Sequence, residues 1–300
     1  MSYLYHYTNG AGLLGMLNNY SKDNPNLTMW ATHYMYLNDP TEYEIGKKIC
    51  IDLIDEVESE LGVSDEYKLK KFIQSPEYQN ELNRYLRTSD GQALCPYIIS
   101  FSRSRDSLHM WDMYASNGDG LALALDELKF GEALIKAAPE NQTNLKNCIY
   151  YDKDVPDILT PIKQRIKELY SELDKVMPLV QAMSMAKVGN FQALHSRWHS
   201  INMLICGFQG IRIKDKAYKL EEEVRISLNK LHQRILFRDR KGLIVPYMEF
   251  PISFSCVENI IVGPTSDFNR VKESVLILLS SKGIEWNDDR ILKSEVPYRL

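Results

Sequence analysis

Residues 96–104 read PYIISFSRS, a compact run of β-forming residues, and residues 121–125 read LALAL. A short apolar run bounded by turn residues is typical of a buried strand, and the polar turn SNGDG precedes the second run. We therefore predict two adjacent strands that frame a turn containing Trp111.

The same patterns extend the β-structure on both sides of this pair. Residues 3–8 (YLYHYT) and 27–36 (LTMWATHYMY) are rich in aromatic and β-branched residues, which favour strands. Turn residues close each run, as expected for strand ends. Further strands are predicted at Cys148–Tyr151, Glu223–Leu228, Leu243–Phe250 and Val257–Val262, and in the tail at Gly283–Trp286.

In the stretches between the predicted strands, the apolar residues have the spacing of helices. Near residues 43–87 apolar side chains recur every three or four positions, with a break at Gly62. Residues 156–208 show the same spacing, and Asn269–Ser281 is predicted as a final helix. Since no repeat or linker-like tract divides the chain, we predict one α+β domain over residues 1–300. Its mixed β-sheet core carries helical insertions at the first two stretches.

Composition and charge argue against several classes of protein. The net charge of −4 and the pI of about 5.9 give no overall electrostatic reason to bind nucleic acid or an anionic membrane. The five cysteines lie far apart without a CxxC pair, which disfavours a disulfide framework and favours a reducing cytoplasm. No apolar stretch is long enough to span a bilayer, and common nucleotide-binding and hydrolase motifs are missing. We expect a cytoplasmic protein with no membrane partner.

The charged residues around the start of the late predicted strand form the first candidate site. A period of two along EEEVRIS, residues 221–227, places Glu221, Glu223 and Arg225 on one face. Neighbouring carboxylates raise the pKa of one member while a nearby arginine lowers it, which is how active sites tune acids and bases. A solvated face with cross-strand pairing explains the pattern equally well.

His6 and Thr8 form a second candidate on the first predicted strand. Alternation places both on one face, opposite Tyr5 and Tyr7. A histidine within a strand is more often a structural hydrogen-bond partner than a catalytic group. The shared polar face shifts the interpretation slightly toward function.

Three further patterns carry weaker signals. Ser100 and Ser102 share one strand face, and Trp111 follows nearby; turn chemistry and core packing are the ordinary explanations of these residues. His195 and His199 lie four positions apart on a predicted helix, a spacing that suits metal binding. No carboxylate or third ligand accompanies them, so we predict no metal site.

Several fragments taken together resemble a known family. They are LYHYT, MYLNDPTEYE, ISFSRSRDSLHMWDMYASNGDGLALALD, KLEEEVRI, VPY, ENIIVGP and SEVPYRL, and in this order they span nearly the whole chain. The combination is similar to the bacterial domain of unknown function 2971 family. That family is in turn distantly similar to ADP-ribosyltransferases, including toxins that modify DNA or RNA. The resemblance implies an ADP-ribosyltransferase fold, and a bacterial toxin or antiviral defence effector.

The resemblance also implies catalytic roles, with NAD as the substrate and no metal. His6 takes the position of the first-strand histidine that holds a ribose of NAD, and Glu223 or Glu221 takes that of the late-strand catalytic glutamate. Breaking the nicotinamide–ribose bond builds positive charge on the sugar, so a carboxylate facing it stabilises the transition state. A neutral His6 is expected to donate one hydrogen bond to a ribose hydroxyl.

The resemblance leaves two alternatives for the site residues that lie in sequence between the first-strand histidine and the late glutamate. In one, Tyr34 or Tyr36 supplies the aromatic that stacks on nicotinamide. In the other, Ser100 and Ser102 resemble the Ser-Thr-Ser strand of a related subtype, with Phe101 in place of the threonine. The full set of predicted NAD-binding residues is His6, Thr8, Tyr34, Tyr36, Ser100, Ser102, Trp111 and Arg225.

The residues leave two other functions open. A non-catalytic nucleotide-sensing or interaction module would keep the fold for binding alone. A metal-dependent nuclease would use Asp39 and Glu42 beside the late glutamates, although no metal-ligand spacing supports it. For the transferase the acceptor is open between nucleic acid, protein and water. The basic stretch from residue 211 to 241 favours nucleic acid, and scattered surface salt bridges explain it as well.

Overall fold

The computed structural model contains a large mixed β-sheet with helices. It describes residues 2–38, 42–63, 65, 68–88, 91, 95–137, 145–152, 156–171, 210–228, 234–240 and 242–298. Within these residues ten strands form the main sheet and two more form a small parallel pair. The strands are β1 Tyr3–Thr8, β2 Asn26–His33, β3 Tyr97–Ser102, β4 Leu121–Asp126, β5 Lys146–Asn147, β6 Ile149–Tyr151, β7 Ile213–Asp215, β8 Glu223–Leu228, β9 Leu236–Arg240, β10 Leu243–Ser253, β11 Val257–Val262 and β12 Ile291–Lys293.

Local capping sets the start of several helices. Asn9 accepts the backbone N–H of Gly12 in the first helix, and Asp267 accepts that of Arg270 in the last. Such side chains satisfy N–H groups that the helix itself leaves unpaired. The described helices are α1 Gly10–Met16, α2 Glu42–Glu60, α3 Leu69–Ile73, α4 Pro76–Tyr85, α5 Leu108–Tyr114, α6 Glu127–Ala137, α7 over 160–171 and α8 Phe268–Ser281.

The strand order of the main sheet is β12-β11-β4-β1-β3-β2-β10-β9, with β8 and β5 off this path. Neighbouring strands in this order pair antiparallel, except β11 and β12, which are parallel. The predicted mixed sheet is therefore confirmed. The prediction that β3 and β4 are adjacent is wrong, because β1 lies between them and pairs with all of β4. Leu4 packs into one core while Tyr5 and Tyr7 pack into another, so β1 is stabilised in a central position by burial on both faces.

A split in the sheet lies along β3. β8 covers one edge of β3 from end to end, including the pair Ser102↔Glu223. On the other edge, β1 pairs with β3 at Tyr5↔Ser102, near its end, and β2 pairs with residues 97–98, at its start. No described strand pairs with residues 99–101 on this edge. β1 and β2 therefore diverge at the middle of β3 and open a space between them.

The helices of the two predicted insertions pack against each other in a core of their own. Residues of α2, α3, α4 and α7 form it together with Ile213 of β7. The backbone of α2 approaches the turn before β7 so closely that a side chain on Gly46 would meet the carbonyl oxygen of Gly210 at 2.0 Å. This contact fixes the start of β7 against the helical layer. Residues 172–209, in the second predicted insertion, lie outside the described residues.

Two predicted strands end or lie elsewhere than expected. β2 stops at His33, whose ring accepts the N–H of Met35 and begins a 3-10 turn over Tyr34–Tyr36. The tail strand predicted at Gly283–Trp286 is wrong, because Gly283 adopts φ 73° and ends α8. The tail strand occurs later, as β12. In the described part of the chain no helix is long and apolar enough to cross a membrane.

Candidate functional site

A cleft of about 630 Å³ lies at the split between β1 and β2. This volume falls within the range of sites that hold small molecules. It gathers residues from distant parts of the sequence, since β1, β3 and β8 all contribute to its lining. Of the predicted site residues it brings together His6, Thr8, Tyr36, Ser100, Ser102, Glu221, Glu223 and Arg225.

Glu223 is held by two cations at the start of β8. Arg225 donates to its carboxylate through Nε at 2.7 Å and Nη2 at 2.9 Å, and Lys214 donates to Oε2 at 2.6 Å. Burial opposes ionisation of Glu223, but Arg225 and Lys214 outweigh it and hold the pKa of the carboxyl at about 2. Tyr150 accepts the backbone N–H of Glu223 at 2.6 Å. Glu223 is therefore an ionised and firmly oriented carboxylate.

Glu221 reaches the same cluster from outside the strand. It ends a 3-10 turn over Lys216–Glu221, and Glu222 then adopts a left-handed conformation with φ 42°. This corrects the expectation that strand alternation aligns Glu221 with Glu223, because the turn breaks the period of two. Tyr114 donates to Glu221 Oε1 at 2.6 Å, and Lys214 donates to Oε2.

Lys214 connects the two glutamates, and sequence patterns did not single it out. The exposed fractions are 3% for Lys214, 2% for Glu221, 6% for Glu223 and 3% for Arg225, so two cations and two carboxylates are buried together. A lysine in a three-residue strand carries no sequence signal that marks it as buried. Neutralisation by opposite charges is what permits four ionisable groups to leave water.

His6 bonds to the backbone at the split in the sheet. Its Nδ1 lies 3.1 Å from the carbonyl oxygen of Ser100. Because a carbonyl only accepts hydrogen bonds, Nδ1 carries the proton, and in the neutral ring Nε2 is an acceptor. Burial lowers the pKa of His6, against the opposing effect of this bond, and favours the neutral ring. The expected donation to a ribose hydroxyl is thus corrected: the neutral ring would accept a bond from that hydroxyl.

The two serines of β3 differ in their roles. The hydroxyl of Ser102 is buried, donates to the carbonyl of Glu221 at 2.7 Å and accepts the N–H of Ser104 at 3.0 Å. It therefore holds the end of the 3-10 turn in place. Ser100 is half-buried, pairs with Arg225 across the strands and lines the cleft.

Two predicted NAD-binding aromatics lie outside the lining of the cleft. Trp111 is fully buried, packs edge-on against Tyr7 and donates its indole N–H to Asp106 at 2.6 Å. Tyr34 is buried against Tyr43. This corrects the expectation of ligand contacts by Trp111 and Tyr34, because core packing occupies their rings. Tyr36 lies in the lining instead.

The described residues of the basic stretch over 211–241 are divided between a buried cluster, the cleft and the surface. Lys214 and Arg225 point into the buried cluster, while Lys216 pairs with Asp152 at 3.0 Å. Arg238 and Arg240 line the cleft. Several remaining positions of the stretch and of the metal hypotheses lie outside the described residues, namely Asp39, His195, His199, Lys230 and Lys241, and the side chain of Glu42 is not described either. Among the described residues no group of three His, Cys, Asp or Glu side chains is arranged to hold a metal ion.

One protein family matches the part of the sequence that contains this cluster. Residues 110–226 match the family described as Protein of unknown function (DUF2971). The match supports the predicted resemblance to that family and includes Tyr114, Lys214 and both glutamates of the cleft. No curated protein and no solved structure matches the chain. The more distant similarity to ADP-ribosyltransferases therefore gains no support from the comparisons.

Proposed function

We propose that the chain binds NAD in this cleft and cleaves the bond between nicotinamide and ribose, as an ADP-ribosyltransferase or as an NAD glycohydrolase. One observation carries the proposal: the split in the sheet brings His6 of the first strand into one cleft with Glu221 and Glu223. These residues lie more than 200 positions apart in the sequence, and the cleft joins the residue types that the chemistry requires.

The reaction needs negative charge close to the sugar. Nicotinamide leaves with the electron pair of the broken bond, and the ribose gains oxocarbenium character, which an ionised carboxylate stabilises. The oxygen or nitrogen of the acceptor, or a water molecule, then bonds to the sugar carbon and releases its proton to solvent. Glu223 is the stronger candidate for this carboxylate, because its lowered pKa keeps it ionised well below neutral pH.

The ion pairs of Glu223 leave room for a ligand. A carboxylate offers about four acceptor positions. Arg225 and Lys214 occupy three of them through the bonds given above, with one bond on Oε1 and two on Oε2. Within the described contacts, Oε1 therefore keeps a position that suits a ribose hydroxyl.

The test is release of nicotinamide from labelled NAD by the purified chain, followed by a search for label on protein, DNA and RNA. Glu223→Gln removes the charge while keeping the shape, and we expect a rate lower by about 100-fold or more. Glu222→Gln is the matched control, since the neighbouring glutamate is exposed. If Glu223→Gln turns over at the native rate and Glu221→Gln does not, the catalytic role belongs to Glu221. If neither substitution matters, the proposal fails.

A non-catalytic nucleotide-sensing module is the second candidate, and the ion pairs of the cluster favour it. Two cations neutralise the two glutamates, so the cluster as a whole offers no net negative charge to a developing cation. In this case NAD raises the melting temperature of the protein without any release of nicotinamide. A cytoplasmic toxin or antiviral effector is the setting that we propose for the enzymatic case, with nucleic acid or protein as acceptor.

A further inference from the structure

Two arginines on the edge strand β9 also line the cleft. Arg238 and Arg240 are separated by one residue, so the alternation of a strand turns both toward the same face. Asp239, between them, accepts the backbone N–H of Gly242 at 3.1 Å in the turn to β10. Asp239 also lines the cleft, and this bond ties its carboxylate to the turn.

Arg238 is held in a fixed orientation without a carboxylate partner. Its guanidinium lies over the ring of Trp30 at 5.1 Å and over that of Tyr247 at 5.5 Å, and Nη2 donates to the hydroxyl of Thr32 at 2.8 Å. Burial and the nearby charge of Arg240 both lower the pKa of Arg238. Among the described residues no Asp or Glu makes an ion pair with it. A partly desolvated cation beside a second cation favours binding of an anion.

Arg240 connects this end of the cleft with the glutamates. It donates to the backbone carbonyl of Tyr36 at 3.1 Å and to the side-chain oxygen of Asn38. Asn38 also hydrogen-bonds to Tyr114, which in turn donates to Glu221. Asn38 and Tyr114 thus link Arg240 at one end of the cleft to Glu221 at the other through hydrogen bonds. Both ends belong to one site.

The charges of the two ends are arranged differently. At the glutamate end Lys214 and Arg225 are neutralised by carboxylates. At the β9 end neither Arg238 nor Arg240 has such a partner in the described part of the chain. Planar guanidinium groups pair with phosphate oxygens through two parallel hydrogen bonds, which makes phosphate the anion that two arginines suit best.

We propose that Arg238 and Arg240 form a phosphate subsite that binds the diphosphate of a nucleotide, with its ribose directed toward Glu223. The proposal rests on the proposed function for the identity of the nucleotide as NAD. The arginine geometry by itself supports recognition of a nucleoside diphosphate.

The test is calorimetric titration of the full chain with ADP, ADP-ribose and adenosine. Arg238→Gln and Arg240→Gln should each weaken ADP and ADP-ribose binding by about 10- to 100-fold, because each loses a hydrogen bond between charged groups. Binding of adenosine, which has no phosphate, should change by less than about threefold. Arg234→Gln is the matched control, since Arg234 is exposed and does not line the cleft. Arg238→Lys keeps the charge without the planar fork and should lie between native and Gln.

The outcomes separate this proposal from the proposed function. ADP binding that depends on both arginines, without release of nicotinamide from NAD, supports the subsite and contradicts the cleavage reaction. Release of nicotinamide with an unchanged KM for NAD in folded Arg238→Gln and Arg240→Gln overturns the subsite alone. Failure of the native chain to bind ADP or ADP-ribose also overturns it. So does binding of a single-stranded oligonucleotide that Arg238→Gln and Arg240→Gln abolish and ADP does not displace, since the arginines would then serve a nucleic acid.

Discussion

Removal of the buried Lys214 should lower the stability of the protein, because two buried glutamates then share one cation fewer. In Lys214→Met, Glu223 keeps Arg225, whereas Glu221 loses its lysine and keeps the hydrogen bond from Tyr114, with His109 Nε2 at 3.9 Å from Oε1. Removing one partner of a buried ion pair typically costs about 3–5 kcal/mol, because the remaining charge stays buried. Methionine fills most of the lysine volume, so little of the loss comes from packing. We expect the free energy of unfolding at pH 7 to fall by about 3 kcal/mol.

The stability lost in Lys214→Met should depend on pH. In the native chain the lowered pKa of Glu223 contributes stability that is present above its ordinary value of 4.5 and is lost as the pH falls toward about 2. In Lys214→Met the pKa of Glu223 should be lowered less, because Lys214 is one of the two cations that hold it down. A carboxyl whose pKa is lowered less loses less stability on acidification, so the deficit of the variant should shrink between pH 7 and pH 3.

Urea denaturation at the two pH values measures this effect directly. The control is Lys219→Met, which removes an exposed lysine from the same 3-10 turn and should change stability by less than about 0.5 kcal/mol. A loss below about 1 kcal/mol for Lys214→Met, equal at pH 7 and pH 3, would refute the charge-neutralised cluster.

Two further predictions address the groups around the cluster. Tyr114→Phe removes the phenol that donates to Glu221 and should cost about 2 kcal/mol by denaturation, the usual cost of losing a hydrogen bond to a charged group; an unchanged stability would argue against this contact. His6→Ala should weaken NAD binding by about tenfold at most, since one uncharged hydrogen bond is lost. Because burial lowers the pKa of His6, its contribution to NAD affinity should stay constant from pH 6 to pH 8, and affinity that falls on acidification through this range would show a titrating ring.

Local patterns in the sequence were sufficient for much of the secondary structure. The predicted bounds of β1, β8 and β11 coincide with the structure, and α8 begins one residue earlier than predicted. Each of these elements depends on alternation, helical spacing or capping among neighbours along the chain, so its information is contained in a short window. Edge strands such as β9, with charged residues at three of five positions, have no such apolar signature.

The candidate site was predictable only in part. His6, Ser100 and the late glutamates stood out because a charged or polar residue within an apolar strand needs a partner. Lys214 and Arg238 stood out only as members of the basic stretch, because their individual roles depend on which groups surround them after folding. The tautomer of His6 was likewise beyond the sequence, since it depends on a carbonyl 94 positions away.

The sequence by itself determined the α+β class, most strands and the residue types available for chemistry, because periodicity and capping are short-range properties. Only the tertiary structure decided that β1 lies between β3 and β4, and that β1 and β2 diverge to open the cleft. Only the fold also decided which charges neutralise each other and which arginines have no carboxylate partner among the described residues. Pairing between distant strands follows from burial of both faces of the sheet, and the balance of buried charges follows from that pairing.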